Sequence, residues 1–324
     1  MKKLKYLVPE KWKRNLLNSR IMKWYSRRQL YSPEYPRVVS ILTGIYPCIY
    51  SCRMCPQFST KPKEKTHMSF DLFKKIIDQL PDSGINLEIS SYGETLMVKE
   101  FTRMIEYAKE KRNKIPICIA TNGLLLNSEA IDMLIRSRVD TVQVSLNAAD
   151  KESFKWLMGV DAYDNASDNI KAFVKRKKEL GTKKPEIYTH LIDIKELQSK
   201  NTDKFVNEWN KIVDRADTRP LGNWGGFIKN NGCSRTWQMP NKRYPCAWLW
   251  FNTKIMPTGD VHKCFTHFLS GKPGVGNINN DSIQEIWKGS KLHGVRQRHL
   301  EGRFEEEPLC GDCDVWALFP NIIN

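Results

Sequence analysis

Six short apolar runs between residues 38 and 221 are separated by stretches that carry an apolar helical face, and this alternation narrows the possible folds to a few. The runs are Val38–Gly44, Ile85–Ser91, Ile115–Thr121, Asp140–Leu146, Glu186–Asp193 and Thr218–Leu221. Between them, Phe70, Leu72, Phe73, Ile76, Ile77 and Leu80 mark one helical face, with Ser69 placed to cap it. Phe101, Met104, Ile105 and Ala108 mark a second, Ile131, Leu134 and Ile135 a third, Ile170, Phe173 and Val174 a fourth, and Phe205, Trp209, Ile212 and Val213 a fifth. Repeated strand–helix units predict a parallel sheet with helices outside, as an open doubly wound sheet or a full or partial barrel, with ligands gathering at the C-terminal strand ends.

The flanks read differently. Residues 1–37 hold eleven Lys or Arg against Glu10 and Glu34, a large share of the formal net charge of +16. Such a segment is either a solvated basic extension or a surface that meets an anionic partner. No nucleic-acid-binding motif accompanies the charge, so no nucleic-acid partner is expected. After residue 233 the pattern changes to a β-hairpin, Leu249–Met256 and Val261–Phe265 around the turn Pro257-Thr258-Gly259-Asp260, and then a short helix opened by Ser282 and Glu285 at capping-box spacing. The expected division is a basic N-terminal extension (1–37), a barrel (38–232) and a small α+β tail (233–324). No apolar run approaches membrane-spanning length and the N-terminus has no signal-peptide pattern, which predicts a cytoplasmic protein.

In a reducing compartment clustered cysteines bind metal more often than they form disulfides. Seven of the nine fall into two groups, Cys48, Cys52 and Cys55 at the front and Cys246, Cys264, Cys310 and Cys313 at the rear. Soft thiolates select zinc, copper(I) or iron–sulfur centres. Structural zinc takes four protein ligands, so three close cysteines without an evident fourth suit a [4Fe–4S] cluster with one iron left open. Four rear thiolates suit either a cluster or zinc. Cys118, inside an apolar run, reads as a buried small hydrophobe. Cys233 has three readings: a core thiol, a hydrogen-atom donor to a substrate radical, or an additional ligand.

The segment Cys48-Ile49-Tyr50-Ser51-Cys52-Arg53-Met54-Cys55 resembles the signature of the radical S-adenosylmethionine superfamily. Ser91-Tyr92-Gly93-Glu94-Thr95, Thr121-Asn122-Gly123 and Ser145-Leu146-Asn147 resemble its further motifs, in the family's order. The first departs from the usual Gly-Gly-Glu-Pro at Tyr92 and Thr95. Asn147 stands where many relatives have Asp, and Met158 lies where a basic residue is common. The resemblance implies a partial (β/α)6 TIM-like barrel whose three front cysteines hold a [4Fe–4S] cluster. It further implies that S-adenosyl-L-methionine chelates the open iron and that its reductive cleavage gives a 5′-deoxyadenosyl radical. Tyr50, Met54, Gly93, Glu94, Asn122, Ser145 and Asn147 then become cofactor contacts, with Glu94 receiving the cofactor's ammonium group. The rear cysteines, with Met256-Pro257-Thr258-Gly259-Asp260-Val261-His262-Lys263-Cys264 and the later Val275-Gly276-Asn277-Ile278, resemble SPASM and shortened twitch domains, which implies one auxiliary [4Fe–4S] cluster.

Members of this family with auxiliary clusters oxidise or epimerise small molecules or modify ribosomal peptides. The short N-terminal segment favours a small polar substrate, a sugar or aminocyclitol, and the chemistry requires an external one-electron reductant of the flavodoxin or ferredoxin kind. His190, Asp193, Arg219, Asn223 and Trp224 are the expected substrate-facing residues, with His190 a candidate proton carrier and Arg219 a candidate anchor for hydroxyls or an anion. Trp224 and Trp248 have the alternative role of packing the barrel against the tail. A non-catalytic iron–sulfur or zinc scaffold is the reading from a different class.

Overall fold

The computed structural model describes residues 34–58, 65–194, 202–228 and 239–318; Cys233 and nearly all of the basic extension lie outside them. Six strands, β1 (Val38–Ile45), β3 (Asn86–Tyr92), β4 (Ile117–Thr121), β5 (Thr141–Asn147), β6 (Glu186–Asp193) and β7 (Arg215–Pro220), pair in that order, and every pairing is parallel. A two-residue strand, β2 (Thr66–His67), runs antiparallel to the end of β1. The helices between them are α1 (Phe70–Asp78), α2 (Phe101–Lys111), α3 (Ser128–Arg136), α4 (Lys151–Met158), α5 (Tyr163–Glu179) and α6 (Thr202–Trp209). The alternation predicts these parallel strand–helix units, and their form is the partial (β/α)6 barrel that the resemblance implies.

Side-chain alternation along each strand separates the barrel's two faces. Leu87, Ile89, Ile117, Ile119, Val142 and Val144 are fully buried on the helix side, against Phe73 and Ile76 of α1, Met104 and Ile105 of α2, and Leu134 of α3. The strand register turns the intervening residues inward. Ser40, Glu88 and Cys118 stand side by side on one row, while Gln143, Tyr188, His190, Asp217 and Arg219 line the far wall. Ser69 caps α1 by accepting the Leu72 amide hydrogen, as its position predicts. The region expected to hold one helix after β5 holds two, because Gly159 takes a left-handed conformation (φ 72°) that ends α4.

The tail does not form a sheet of its own. β8 (Asn252–Ile255) pairs in parallel with the outer edge of β1, Val38 opposite Asn252 through Ile41 opposite Ile255. β9 (Asp260–His262) and β10 (Gly276–Asn277) extend the same sheet in antiparallel fashion. Both hairpin strands are shorter than expected. Ala247–Trp250 form a 3-10 turn ahead of β8, and Phe265 opens a helix, α7 (Phe265–Leu269), since the Cys264 sulfur accepts the His267 amide hydrogen at 3.4 Å. Helices α8 (Ile283–Lys288) and α9 (Ser290–Leu300) follow, α8 with the expected Ser282–Glu285 capping box. The seam is tied by side chains as well: Asn252 Nδ2 donates to Ser40 Oγ (3.1 Å), which donates to Glu88 Oε2 (2.5 Å). Among the described residues no helix is long and apolar enough to cross a membrane.

Ile255 is fully buried at this seam, in one core with Val39, Ile41, Val261 and Ile278. Ile255→Ala is expected to cost about 2–5 kcal/mol of stability, read as a lowered denaturation midpoint, from lost transfer energy and the cavity left behind.

Candidate active site

The front cysteines occupy the loop that leaves β1, and neighbouring backbone shapes it. Gln57 clamps the loop's start: its amide oxygen accepts from the Cys48 N–H (3.2 Å) and its Nε2 donates to the Tyr46 carbonyl (3.1 Å). The N–H groups of Ser51 and Arg53 donate to the carbonyls of Met158 and Leu157, so the loop satisfies the orphan acceptors at the C-terminus of α4. Gly159 is required at this contact, because a Cβ there would sit 2.7 Å from the Ser51 carbonyl oxygen. Arg53 turns away from the cysteines, bonds the Trp156 carbonyl (2.9 Å) and stacks on the Trp156 ring. Burial raises all three thiols above their ordinary range, Cys55 to about 11. Thiolates here therefore need a positive partner, which cluster iron would provide.

Glu94 lies beside them, 1 % exposed. Its carboxylate accepts from Thr121 Oγ1 (2.6 Å), the Asn122 N–H (2.7 Å) and the Leu96 N–H (3.0 Å), which explains why the β4 turn follows the β3 turn so closely. Burial raises its pKa despite these three donors. A buried carboxylate held by neutral donors and facing a cavity fits an ammonium group. Gly93 has φ 144° and its α-carbon packs against Tyr46, where a Cβ would come within 2.7 Å of the ring. Asn122 also directs its Nδ2 at Cys48 Sγ (3.9 Å). Asn147 occupies a positive-φ position (62°) at a break in the β5–β6 pairing; its Nδ2 reaches Met158 Sδ (3.6 Å) while its buried Oδ1 has no partner. Met158 in turn touches Cys52 Sγ (3.7 Å). Tyr50, Met54 and Ser145 line the same cavity.

That cavity, about 560 Å³, also reaches the rear cysteines. Its far wall is a polar network that the sequence reading did not assemble: Arg219 Nε donates to Tyr188 OH (2.9 Å), Arg219 also donates to Gln143 Oε1 (3.0 Å), and Tyr188 OH donates to Asp217 (2.5 Å). His190 stacks on Tyr188 and its buried Nδ1 has no partner. Burial, together with Arg219 and Arg215, holds His190 well below its usual pKa, so the imidazole is neutral near pH 7. A neutral ring can accept or donate one hydrogen bond, and His190 lines the cavity where a substrate would lie. Cys118 faces the interior close to Glu88, Arg215 and Arg219. Asp193 is fully buried at the end of β6 and does not line the cavity.

Two other expected substrate contacts join the two cysteine regions. Asn223 Oδ1 accepts from the Asp314 N–H (3.2 Å), Asn223 Nδ2 donates to the Asp312 carbonyl, and the Asn223 N–H donates to Asp314 Oδ2 (2.9 Å). Trp224 Nε1 donates to the Met54 carbonyl (3.1 Å) and its ring meets Phe265 edge-on at 5.2 Å. Asn223 is therefore a brace, while Trp224 packs barrel against tail and lines the cavity, as does Trp248. At the rear, burial raises the Cys246 thiol, and Cys313, Cys264 and Cys310 are close enough to raise it further. Burial likewise lifts Cys264 to about 11 and Cys313 to about 12. The N–H of Cys246 points at His299 Nδ1 (3.4 Å). Among the described residues no three His, Cys, Asp or Glu side chains converge on a single ion position. All seven thiols line the one cavity, three in front and four behind, and soft thiolate sets of this kind fit iron–sulfur clusters.

The Radical SAM superfamily matches residues 45–184, and SPASM, an iron–sulfur cluster-binding domain, matches residues 246–314. The S-adenosyl-L-methionine-dependent 2-deoxy-scyllo-inosamine dehydrogenase of Niallia circulans is 24% identical over 269 residues, 82% of this chain and 88% of that protein. The tungsten-containing aldehyde ferredoxin oxidoreductase cofactor-modifying protein of Pyrococcus furiosus is 28% identical over 152 residues, 46% of this chain and 42% of the relative. The structure of BtrN in complex with AdoMet and 2-DOIA superposes with a TM-score of 0.56 at 21% identity, over 86% of this chain and 92% of that one. Streptococcus suis SuiB bound to precursor peptide SuiA gives 0.65 at 16% identity, over 91% and 73%. Both structural likenesses carry the fold.

Replacing Glu94 by Gln is expected to weaken S-adenosylmethionine binding at least about tenfold, since hydrogen bonds to charged groups are worth roughly 1.5–3 kcal/mol. The ammonium needs the ionised carboxylate, and burial raises the pKa of free Glu94. Binding should therefore release a proton, so affinity rises with pH up to that raised pKa and levels off above it, in the wild type only. Equilibrium dialysis across a pH series with the reconstituted protein checks both points.

Proposed function

Since this chain belongs to the radical SAM superfamily and carries an SPASM domain, we propose that it removes hydrogen from a C–H bond of a small polar molecule, of the sugar or aminocyclitol kind, and oxidises it. When bound, S-adenosylmethionine and the front cluster supply a 5′-deoxyadenosyl radical for hydrogen abstraction, and the rear cluster supplies a one-electron acceptor. The observation that carries this reading is a single cavity reached by both cysteine groups, with Gln143 and Arg219 on its wall and Tyr188 bonded to Arg219 behind it. Arg219 is fixed by two partners and presents a preorganised cation to hydroxyls or an anionic group. Neutral His190, with its unpartnered Nδ1, is suited to hold a hydroxyl in one orientation. Trp224, bonded to the loop that carries Cys55, covers the cavity and limits access of water to a reactive carbon.

On this reading the barrel spans 38–232 and the cluster-bearing tail 233–324, with a flavodoxin- or ferredoxin-like protein as electron donor. Epimerisation instead of oxidation would call for a hydrogen donor such as Cys233, which lies outside the described residues. A peptide substrate is the second reading, favoured by the likeness in fold to SuiB bound to its precursor peptide.

The test is anaerobic reconstitution, then assay of reductant-dependent 5′-deoxyadenosine with C-deuterated cyclitols, sugars and peptides. Deuterium arriving in 5′-deoxyadenosine from a cyclitol or sugar, with a product two hydrogens lighter, is the expected result. Transfer from a peptide alone would establish the second reading, and no cleavage under any condition would leave a scaffold. Arg219→Met is expected to raise the KM for the small substrate about tenfold or more, leaving S-adenosylmethionine affinity unchanged, because a charged hydrogen bond is lost.

A further inference from the structure

The two cysteine groups differ in the charges around them. Lys263 precedes Cys264, and its side chain is 1 % exposed. Its ammonium donates to Glu307, which is 5 % exposed and also receives Arg298. The Cys310 N–H donates to the Glu307 carbonyl (3.0 Å), so the Lys263–Glu307 pair lies beside the Cys310 turn. Arg243 braces the same turn. It donates to the carbonyls of Gly311 (2.7 Å) and Cys310, and its guanidinium lies 4.3 Å from the Phe304 ring centre. Three cations therefore stand against Glu307 and Asp314, the carboxylate beside Cys313. His262, His267 and His299 are packed here as well, with His262 Nδ1 3.1 Å from His267 Nδ1. The front thiols have the opposite surroundings: their named electrostatic neighbours are one another and the Glu94 carboxylate.

Burying the Lys263 ammonium next to a cysteine, with two partly exposed guanidinium groups nearby, costs desolvation energy that simple packing would not demand. The arrangement has a use if the thiols hold a cluster that gains negative charge on reduction. One-electron reduction adds one negative charge to an iron–sulfur cluster, and nearby cations and hydrogen bonds to its sulfurs favour that state. We propose that Lys263, held beside the Cys310 turn by Glu307, raises the reduction potential of the rear cluster. This makes Lys263 a tuning residue for the electron acceptor, and it rests on the reading of both cysteine groups as cluster ligands.

The experiment is an EPR-monitored redox titration of the full chain. A Cys48/Cys52/Cys55→Ala background leaves only the rear cluster to titrate, at about four irons per chain. Lys263→Met is expected to shift the reduced-to-oxidised ratio at fixed potential at least about tenfold towards oxidised, a fall of about 59 mV for a one-electron couple. Glu307→Gln removes a negative charge from the same cluster of side chains and should shift the midpoint the other way, and Lys263→Arg should restore most of the wild-type value. General loosening of the tail would not move the Met and Gln variants in opposite directions. Midpoints unmoved, or moved in the same direction, in iron-replete variants overturn the proposal and leave the cluster reading intact. Absence of iron from the front-cysteine variant overturns the cluster reading, and the proposal with it.

Discussion

The parallel pairing of β8 with β1 governs where everything else can lie. β1 runs directly into the front cysteines, and β8 opens the hairpin whose return strand delivers Cys264. Four consecutive register pairs and the Asn252–Ser40–Glu88 hydrogen bonds hold these strands side by side, so the separation of the two cysteine groups is set by backbone geometry. A tail tethered by a linker alone would leave that distance free to vary. Here it is part of the sheet, and the cavity between the groups takes its shape from the sheet.

A second constraint is charge. Seven thiols face one cavity, and burial pushes each of them towards its neutral form. Such a site is unfavourable as thiolates without a cationic centre. The protein distributes the compensation unequally, with lysine and arginine at the rear and a carboxylate at the front. The front carboxyl, Glu94, is surrounded by neutral donors, and among the described residues none of its hydrogen-bond donors is a cation.

Much of this was legible in the sequence because it is local. Strand–helix alternation gave the parallel strand–helix units, the Cys-x3-Cys-x2-Cys spacing gave the front loop, and Ser69 and Ser282 marked their helices correctly. What was not legible depends on register. Gln143, Tyr188 and Arg219 come from three strands and meet only because β5, β6 and β7 pair at one offset. Lys263 reads as an ordinary hairpin residue until Glu307, 44 positions later, folds against it. Asn223 and Trp224 follow a barrel strand, which placed Trp224 at the cavity but did not disclose that both also brace the tail. Their partners, Asp314 and Met54, lie 91 and 170 positions away, beyond any local pattern. His190 was placed correctly on a wall strand, but its charge state follows from burial and two arginines that spacing does not disclose.

The brace between Asn223 and residues 312–314 bears on the order of assembly. The front ligands span eight residues on one loop, whereas the rear ligands come from three separate segments and are closed by a contact to the end of the barrel. A short loop can gather iron while the rest of the chain is still sorting its strands. The rear site exists only after the sheet, the hairpin and the last cysteine turn have all docked. The rear cysteines thus come together only through contacts made across the sheet, the hairpin and the last turn, whereas the front ones lie within one loop.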